Sequence, residues 1–208
     1  MDSIQTVFSI AVFIISVMMH EVSHGYTANA LGDPTAKFAG RLTLNPLKHI
    51  DMFGSVILPL VLVLSGAPFV FGWAKPVPYN PYNLRNKKWG SLLVAIAGPL
   101  SNLAIAVSFG LLLRAGMFFG YVNQSIVEVV TIIVFVNVLL AIFNLIPIPP
   151  LDGSKILMAF LPFDWKLRIE RYEQYFFIIF ILFVVSLWQF MFPIVTYVAT
   201  LILGKGLF

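Results

Sequence analysis

Cysteine is absent from the 208 residues, so the chain offers neither a disulfide framework nor thiolate metal ligands. Any metal must be held by His, Asp, Glu or backbone oxygen. Charge is scarce: only 11% of residues are Asp, Glu, Lys or Arg, against about 25% in a soluble domain. No Lys or Arg precedes Lys37, so the N-terminus lacks the basic flank of a removable signal peptide, and its apolar run is too long for one. What fills the chain is apolar, 60% of it, with 20 Phe, 7 Tyr and 4 Trp. A soluble fold would leave much of that surface in water. An ordinary globule, a disordered chain and a nucleic-acid-binding domain are therefore excluded. The chain reads as an integral membrane protein whose partner is the lipid bilayer, and its net charge of +4 carries topology information.

The pattern predicts an all-α polytopic membrane protein with five to six transmembrane or re-entrant segments. Segment one runs from about Ser3 to Ala30, enough to span about 30 Å of hydrocarbon, and Gly32, Asp33 and Pro34 end it. Segment two, Met52 to Ser65, has about 14 residues, which favours a re-entrant or partial span. Gly66 to Pro81 carries Pro at 68, 76, 78 and 81 and cannot be a continuous helix. A small membrane-embedded β-hairpin or an extended Pro-rich loop is expected there. Segment three is Trp89 to Leu113 and segment four about Ile126 to Ile146. A polar link, Lys155 to Glu173, leads to segment five, Tyr175 to about Met191, which Pro193 separates from Ile194–Leu203. All of this reads as one domain, residues 1–208, with a core at 3–157 and C-terminal membrane segments at 172–204.

Basic residues gather in three clusters: Lys37, Arg41 and Lys48; Arg85, Lys87 and Lys88; and Lys155, Lys166, Arg168 and Arg171. With all three cytoplasmic, segment one starts outside and segments three and four form a hairpin. Segment two and the Pro-rich stretch then enter and leave on one side. Non-helical backbone at that depth must be shielded by protein or line a watery cavity.

Segment one contains His20-Glu21-Val22-Ser23-His24. Residues i and i+4 share a helix face, so both imidazoles can converge on one Zn²⁺ with Glu21 beside them. The alternative, two interfacial His and a snorkelling Glu, is weaker because Glu inside an apolar helix is costly and usually functional. His20 follows Ser3 by 17 residues, roughly 25 Å along a helix, which sets the site in the membrane nearer the cytoplasm. A catalytic zinc takes three protein ligands and keeps one position open. His49 is one candidate for the third ligand, although packing within its Asn45–His49 loop is the better reading. Asp152, in the run Asn144-Leu-Ile-Pro-Ile-Pro-Pro-Leu-Asp152-Gly153, is the stronger candidate. Its competing role is the N-cap of a helix beginning near Ser154. Asn102, one turn past Gly98-Pro99, either orients a ligand or packs, and the small-xxx-polar spacing favours packing. Asn144 is suited to contact a reacting carbonyl or to bond a neighbouring helix. Asp164 reads as solvated, and Arg114 and Glu128 as facing water at the outer turn.

These motifs together resemble the site-2 protease family, the intramembrane zinc metalloproteases. The resemblance rests on HEVSH at 20–24, Gly98-Pro-Leu-Ser-Asn102, and Asn144-x-x-Pro147-x-x-x-x-Asp152-Gly153, in the family's order, over roughly Val12 to Leu157. The runs GDPTAKFAGRLTLNP (32–46) and FGWAKPVPYNPYNLR (71–85) are similar to those of compact bacterial members, and no PDZ domain, CBS domain or additional helix ahead of the HExxH is seen. The resemblance implies that His20, His24 and Asp152 bind one Zn²⁺, that Glu21 is the catalytic base, and that Asn144 positions or polarises the scissile peptide. It implies a transmembrane-segment protein as substrate, a bacterial inner-membrane location, and an active site nearer the cytoplasmic side. A divalent-metal membrane transporter would also use His and Asp in helices. That class explains neither Glu21 within HExxH nor a single site without a relay of acids across the membrane.

Hydrolysis needs an extended peptide, so a substrate helix must unwind and its freed backbone groups need partners. Trp73 to Tyr79 reads as an edge strand that could supply them. Pro76 and Pro78 leave one edge poor in donors, while Lys75, Val77 and Tyr79 keep theirs on the other. A rigid Pro-rich turn is the alternative.

Overall fold

The computed structural model describes residues 3–57, 60, 61, 64, 65 and 74–204. Among these, every regular element is helical: α1 (Ser3–Ala30), α2 (Thr35–Phe38), α3 (Lys87–Phe118), α4 (Gln124–Asn144), α5 (Asp152–Phe160) and α6 (Phe163–Leu203). Three of them, α1, α3 and α4, are long and apolar enough to cross a membrane. Exposed Ile4, Val7, Ile10 and Ile14 on α1 suit a surface whose solvent is hydrocarbon. Asn86 starts α3 by accepting the Trp89 N–H at 3.0 Å, and Asn123 starts α4 by accepting that of Ile126 at 3.0 Å. Such caps satisfy N–H groups that have no preceding turn to bond.

The central helix is α3, which packs against α1, α4, α5 and α6. Small and β-branched side chains let α3, α4 and α6 approach closely: Ala106, Val130, Val134, Val138, Val195 and Ala199 form the heart of that cluster. At Gly110 an added methyl would lie 2.3 Å from Ile202 Cγ2, so α3 and α6 meet at nearly backbone distance.

Several expectations change. Pro193 does not divide two segments, because α6 continues through it, as α3 does through Pro99. In lipid, losing one N–H costs less than ending a helix and stranding several backbone groups away from water. The polar link does not begin at Lys155, which lies inside α5. Of the expected strand, Trp73 lies outside the described residues, as do 66–72, and residues 74–80 form no strand. Within segment two, Met52–Ile57 forms a π-helical turn, and residues 58, 59, 62 and 63 lie outside the described residues.

The chain between α1 and α3 folds onto Asp33, which is fully buried. Its carboxylate accepts from the Thr35 backbone and hydroxyl, from Asn80 N–H at 2.6 Å and from Asn83 Nδ2 at 2.9 Å. This ties the end of α1 to the start of α3. Burial pushes the Asp33 pKa up, but the bonds from Thr35, Asn80 and Asn83 outweigh it and hold the group below the ordinary carboxylate range. A lowered folded pKa contributes stability that is present above the unfolded value of about 3.9 and lost as pH falls through the folded one. Asp33→Ala should strand these donors and lower stability by about 1–3 kcal/mol at neutral pH. Thermal unfolding in detergent checks this, with variant and wild type converging as the pH drops below about 4.

Candidate metal centre

His20 and His24 lie one turn apart on α1, their ring centroids 4.7 Å apart and edge to face. The neighbouring helix leaves them room by having glycine at the contact. A methyl on Gly98 of α3 would lie 2.4 Å from His24 Nε2 and 2.6 Å from His20 Nε2. Asp152 arrives from the other side as the first residue of α5. Leu151 is the N-cap, so Asp152 lies inside α5 and does not take the capping role that competed with ligation. Gly153 lets the turn after α4 pass close by, since a methyl there would lie 2.3 Å from Leu145 O.

The three side chains meet at one point. Asp152 Oδ2 stands 3.0 Å from His20 Nε2 and 3.1 Å from His24 Nε2, and the two Nε2 atoms are 3.0 Å apart. All three residues are buried. The groups behind them fix which ring nitrogen carries the proton. His24 Nδ1 lies 2.6 Å from Val94 O, a carbonyl that can only accept, so Nδ1–H donates. His20 Nδ1 lies 2.7 Å from Asn102 Oδ1. The Asn102 amide is oriented in turn, because its Nδ2 donates to Ser16 O at 3.2 Å and Asn137 Oδ1 at 2.9 Å. Asn137 is anchored through Nδ2 to Ser16 Oγ and Ile133 O, both at 2.9 Å. With each Nδ1 committed to its own acceptor, both rings turn Nε2 toward the Asp152 carboxylate.

Three potential metal ligands that converge in this way could hold a cation. Ligands about 2 Å from one ion at tetrahedral angles stand roughly 3.3 Å apart, close to the separations here. Two imidazoles and one carboxylate suit Zn²⁺, and backbone or amide partners on the distal nitrogens are the usual support for such ligands. Among the described residues, His20, His24 and Asp152 are the only group of three such side chains that could hold a metal. His49 is buried elsewhere, with Nε2–H donating to Thr43 O at 2.9 Å. Asn102, read from spacing as a packing residue, makes a direct bond to His20.

A cavity beside the cluster is lined by Glu21, Val77, Tyr79, Asn144, Asp152 and Lys155. Asn144 Nδ2 donates to Leu140 O of its own helix at 2.9 Å. The Pro-rich segment 74–80 does not present an open edge, which corrects the strand expectation. Val77 N–H donates to Glu21 Oε2 at 2.8 Å, and Lys75 N–H donates to His49 O at 2.9 Å. Arg41 pins the same segment through Lys75 O at 2.7 Å. Pro76 and Pro78 leave Val77 as the lone N–H donor between them, and an ionised carboxylate is the stronger acceptor for it. Asn137, Ser16 and Lys155 were not singled out from the sequence as site groups, and the Val77 amide was read as a donor to substrate rather than to Glu21. An Asn in the middle of the apolar run of segment four is the signal that could have pointed to Asn137.

A family model described as Peptidase family M50 matches residues 116–187, the stretch that holds Asn144 and Asp152. The chain is 36% identical over 204 residues to "Putative zinc metalloprotease YwhC" of Bacillus subtilis, covering 96% of this chain and 87% of that protein. Rip2 of Mycolicibacterium smegmatis, which bears the same description, is 30% identical over 177 residues, 85% of this chain and 66% of Rip2. MJ0611 of Methanocaldococcus jannaschii, again so described, is 32% identical over 169 residues and is covered over 77% of its length. No solved structure matches the chain.

Two substitutions test the geometry. Gly98→Ala should put a methyl among the donor atoms and abolish stoichiometric zinc. Asn102→Ala should release the His20 ring and weaken zinc binding roughly 10–100-fold. Metal analysis and chelator competition on purified protein check both.

Proposed function

The chain belongs to peptidase family M50, the site-2 protease family, and on that premise we propose that His20, His24 and Asp152 hold one catalytic Zn²⁺ while Glu21 serves as the base. The protein is a zinc-dependent metalloendopeptidase that works within the membrane. The observation that supports these roles best is the convergence of two imidazole nitrogens and one carboxylate oxygen, each side chain held by a further contact. When bound, zinc supplies Lewis acidity that activates a water and polarises the scissile carbonyl. Glu21 takes the proton of that water and passes it to the nitrogen of the leaving amine as the C–O bond forms and the C–N bond breaks. Val77 N–H occupies Oε2, so Oε1 is the oxygen left to take the proton. Asn144 spends one amide N–H on Leu140 O and keeps a second for the carbonyl oxygen of the substrate.

The substrate is a transmembrane segment of another protein, cut within or near the bilayer. The chain forms one membrane domain, with its core in residues 3–157 and C-terminal segments in 172–204. Counting 52–65 and α6 with α1, α3 and α4 gives five membrane segments. The three basic clusters support a site nearer the cytoplasm, and the bacterial relatives support a bacterial inner membrane. A transport relay would need a second metal group, and the described residues offer none.

Glu21→Gln should abolish cleavage of a single-span substrate yet keep near-stoichiometric zinc, because the amide keeps the shape but cannot accept the proton. His24→Ala and Asp152→Ala should lose both, and an Asp152→Ala protein with full zinc and activity would overturn the ligand assignment. Single cysteines placed in this Cys-free chain at Asn45, Asn86 and Asp164 should label from the cytoplasmic side, and one at Asn123 from outside. Opposite labelling at Asn45 and Asn86 would mean that 52–65 crosses fully.

A further inference from the structure

Asp152 uses its two oxygens differently. Oδ2 faces both imidazoles at 3.0 and 3.1 Å, whereas Oδ1 faces the ammonium of Lys155 at 3.4 Å. Lys155 lies one turn after Asp152 on α5, so the helix itself holds the pair on one face. Among the described residues its only ion pair is with Asp152, and its other neighbour is the ring of Tyr79, 6.0 Å from Nζ. It also lines the cavity that Glu21 and Asn144 line. Its side chain is partly exposed, so the ammonium keeps contact with water, and its task at the centre is set by the carboxylate that it faces.

That task follows from the carboxylate's freedom. A carboxylate can bind a metal through one oxygen or through both, and binding through both would consume the position that a catalytic zinc keeps open. We propose that Lys155 is a positioning residue that holds Asp152 Oδ1 away from the metal, so that Asp152 binds through Oδ2 alone and the open position survives. The inference rests on Asp152 being a zinc ligand. It gives Lys155, which composition placed in a polar link, a role exerted through Asp152 rather than on the substrate.

The test uses the full-length protein in detergent, stripped of metal and reloaded with Zn²⁺ or Co²⁺, as wild type, Lys155→Met and Lys155→Arg. Zinc affinity is read by chelator competition. The visible spectrum of the Co²⁺ form reports coordination number, because four-coordinate Co²⁺ absorbs far more strongly than five-coordinate. Wild type should give the intense four-coordinate spectrum. Lys155→Met should bind zinc at least as tightly as wild type yet show the weaker five-coordinate bands, and Lys155→Arg should restore the four-coordinate spectrum. If Lys155→Met does not fold, Lys155→Gln, equally neutral, is read in its place. A folded neutral variant with the wild-type four-coordinate spectrum would overturn the role of Lys155 while leaving the zinc site standing. A wild type that binds no metal would overturn the ligand assignment and this inference with it.

Discussion

Three electron pairs point at one spot between α1 and α5, and each is held there by a contact made behind it. Val94 O fixes the His24 ring, Asn102 fixes the His20 ring, and Lys155 stands at the far oxygen of Asp152. The packing of the surrounding helices brings these three groups together. Much of the fold can be understood as that support: α3 gives way at Gly98, and the turn after α4 passes Gly153 closely enough to present Asp152.

The bilayer makes this support durable. Asn102, Asn137 and Ser16 are buried polar groups, and leaving any of them unpaired away from water is costly. Their mutual bonds satisfy them, and the resulting network links α1, α3 and α4 beside His20. A fully satisfied polar network in an apolar setting is rigid. The same logic explains the covering segment 74–80. Arg41 and Asp33 anchor it at either end, and its one available N–H between two prolines goes to Glu21.

Much of the site was legible in the sequence because its chemistry is local. The helical spacing of His20 and His24 requires only that α1 be a helix, and segment one was recognisable from its apolar run and its Gly-Asp-Pro stop. Asp152 was the stronger candidate for the third ligand from its place at the inner end of segment four, and the resemblance implied the ligand role, since nothing in local sequence says that a residue 128 positions beyond His24 returns to it. Asn137 and the bond from Asn102 to His20 depend on how three helices rotate against one another, which periodicity in a uniformly apolar run does not encode. The Pro-rich segment misled for a different reason. Its alternation suggested an open strand edge, but an acidic side chain beneath it took the donor.

The central claim is that two imidazoles and the Asp152 carboxylate bind one zinc. X-ray absorption at the zinc edge of the loaded wild-type protein tests it most directly. The account predicts one zinc per chain with two imidazole nitrogens and oxygen donors at about 2.0–2.2 Å. A shell containing three imidazoles would require His49 in place of Asp152, and a shell with one or none would contradict the centre described here.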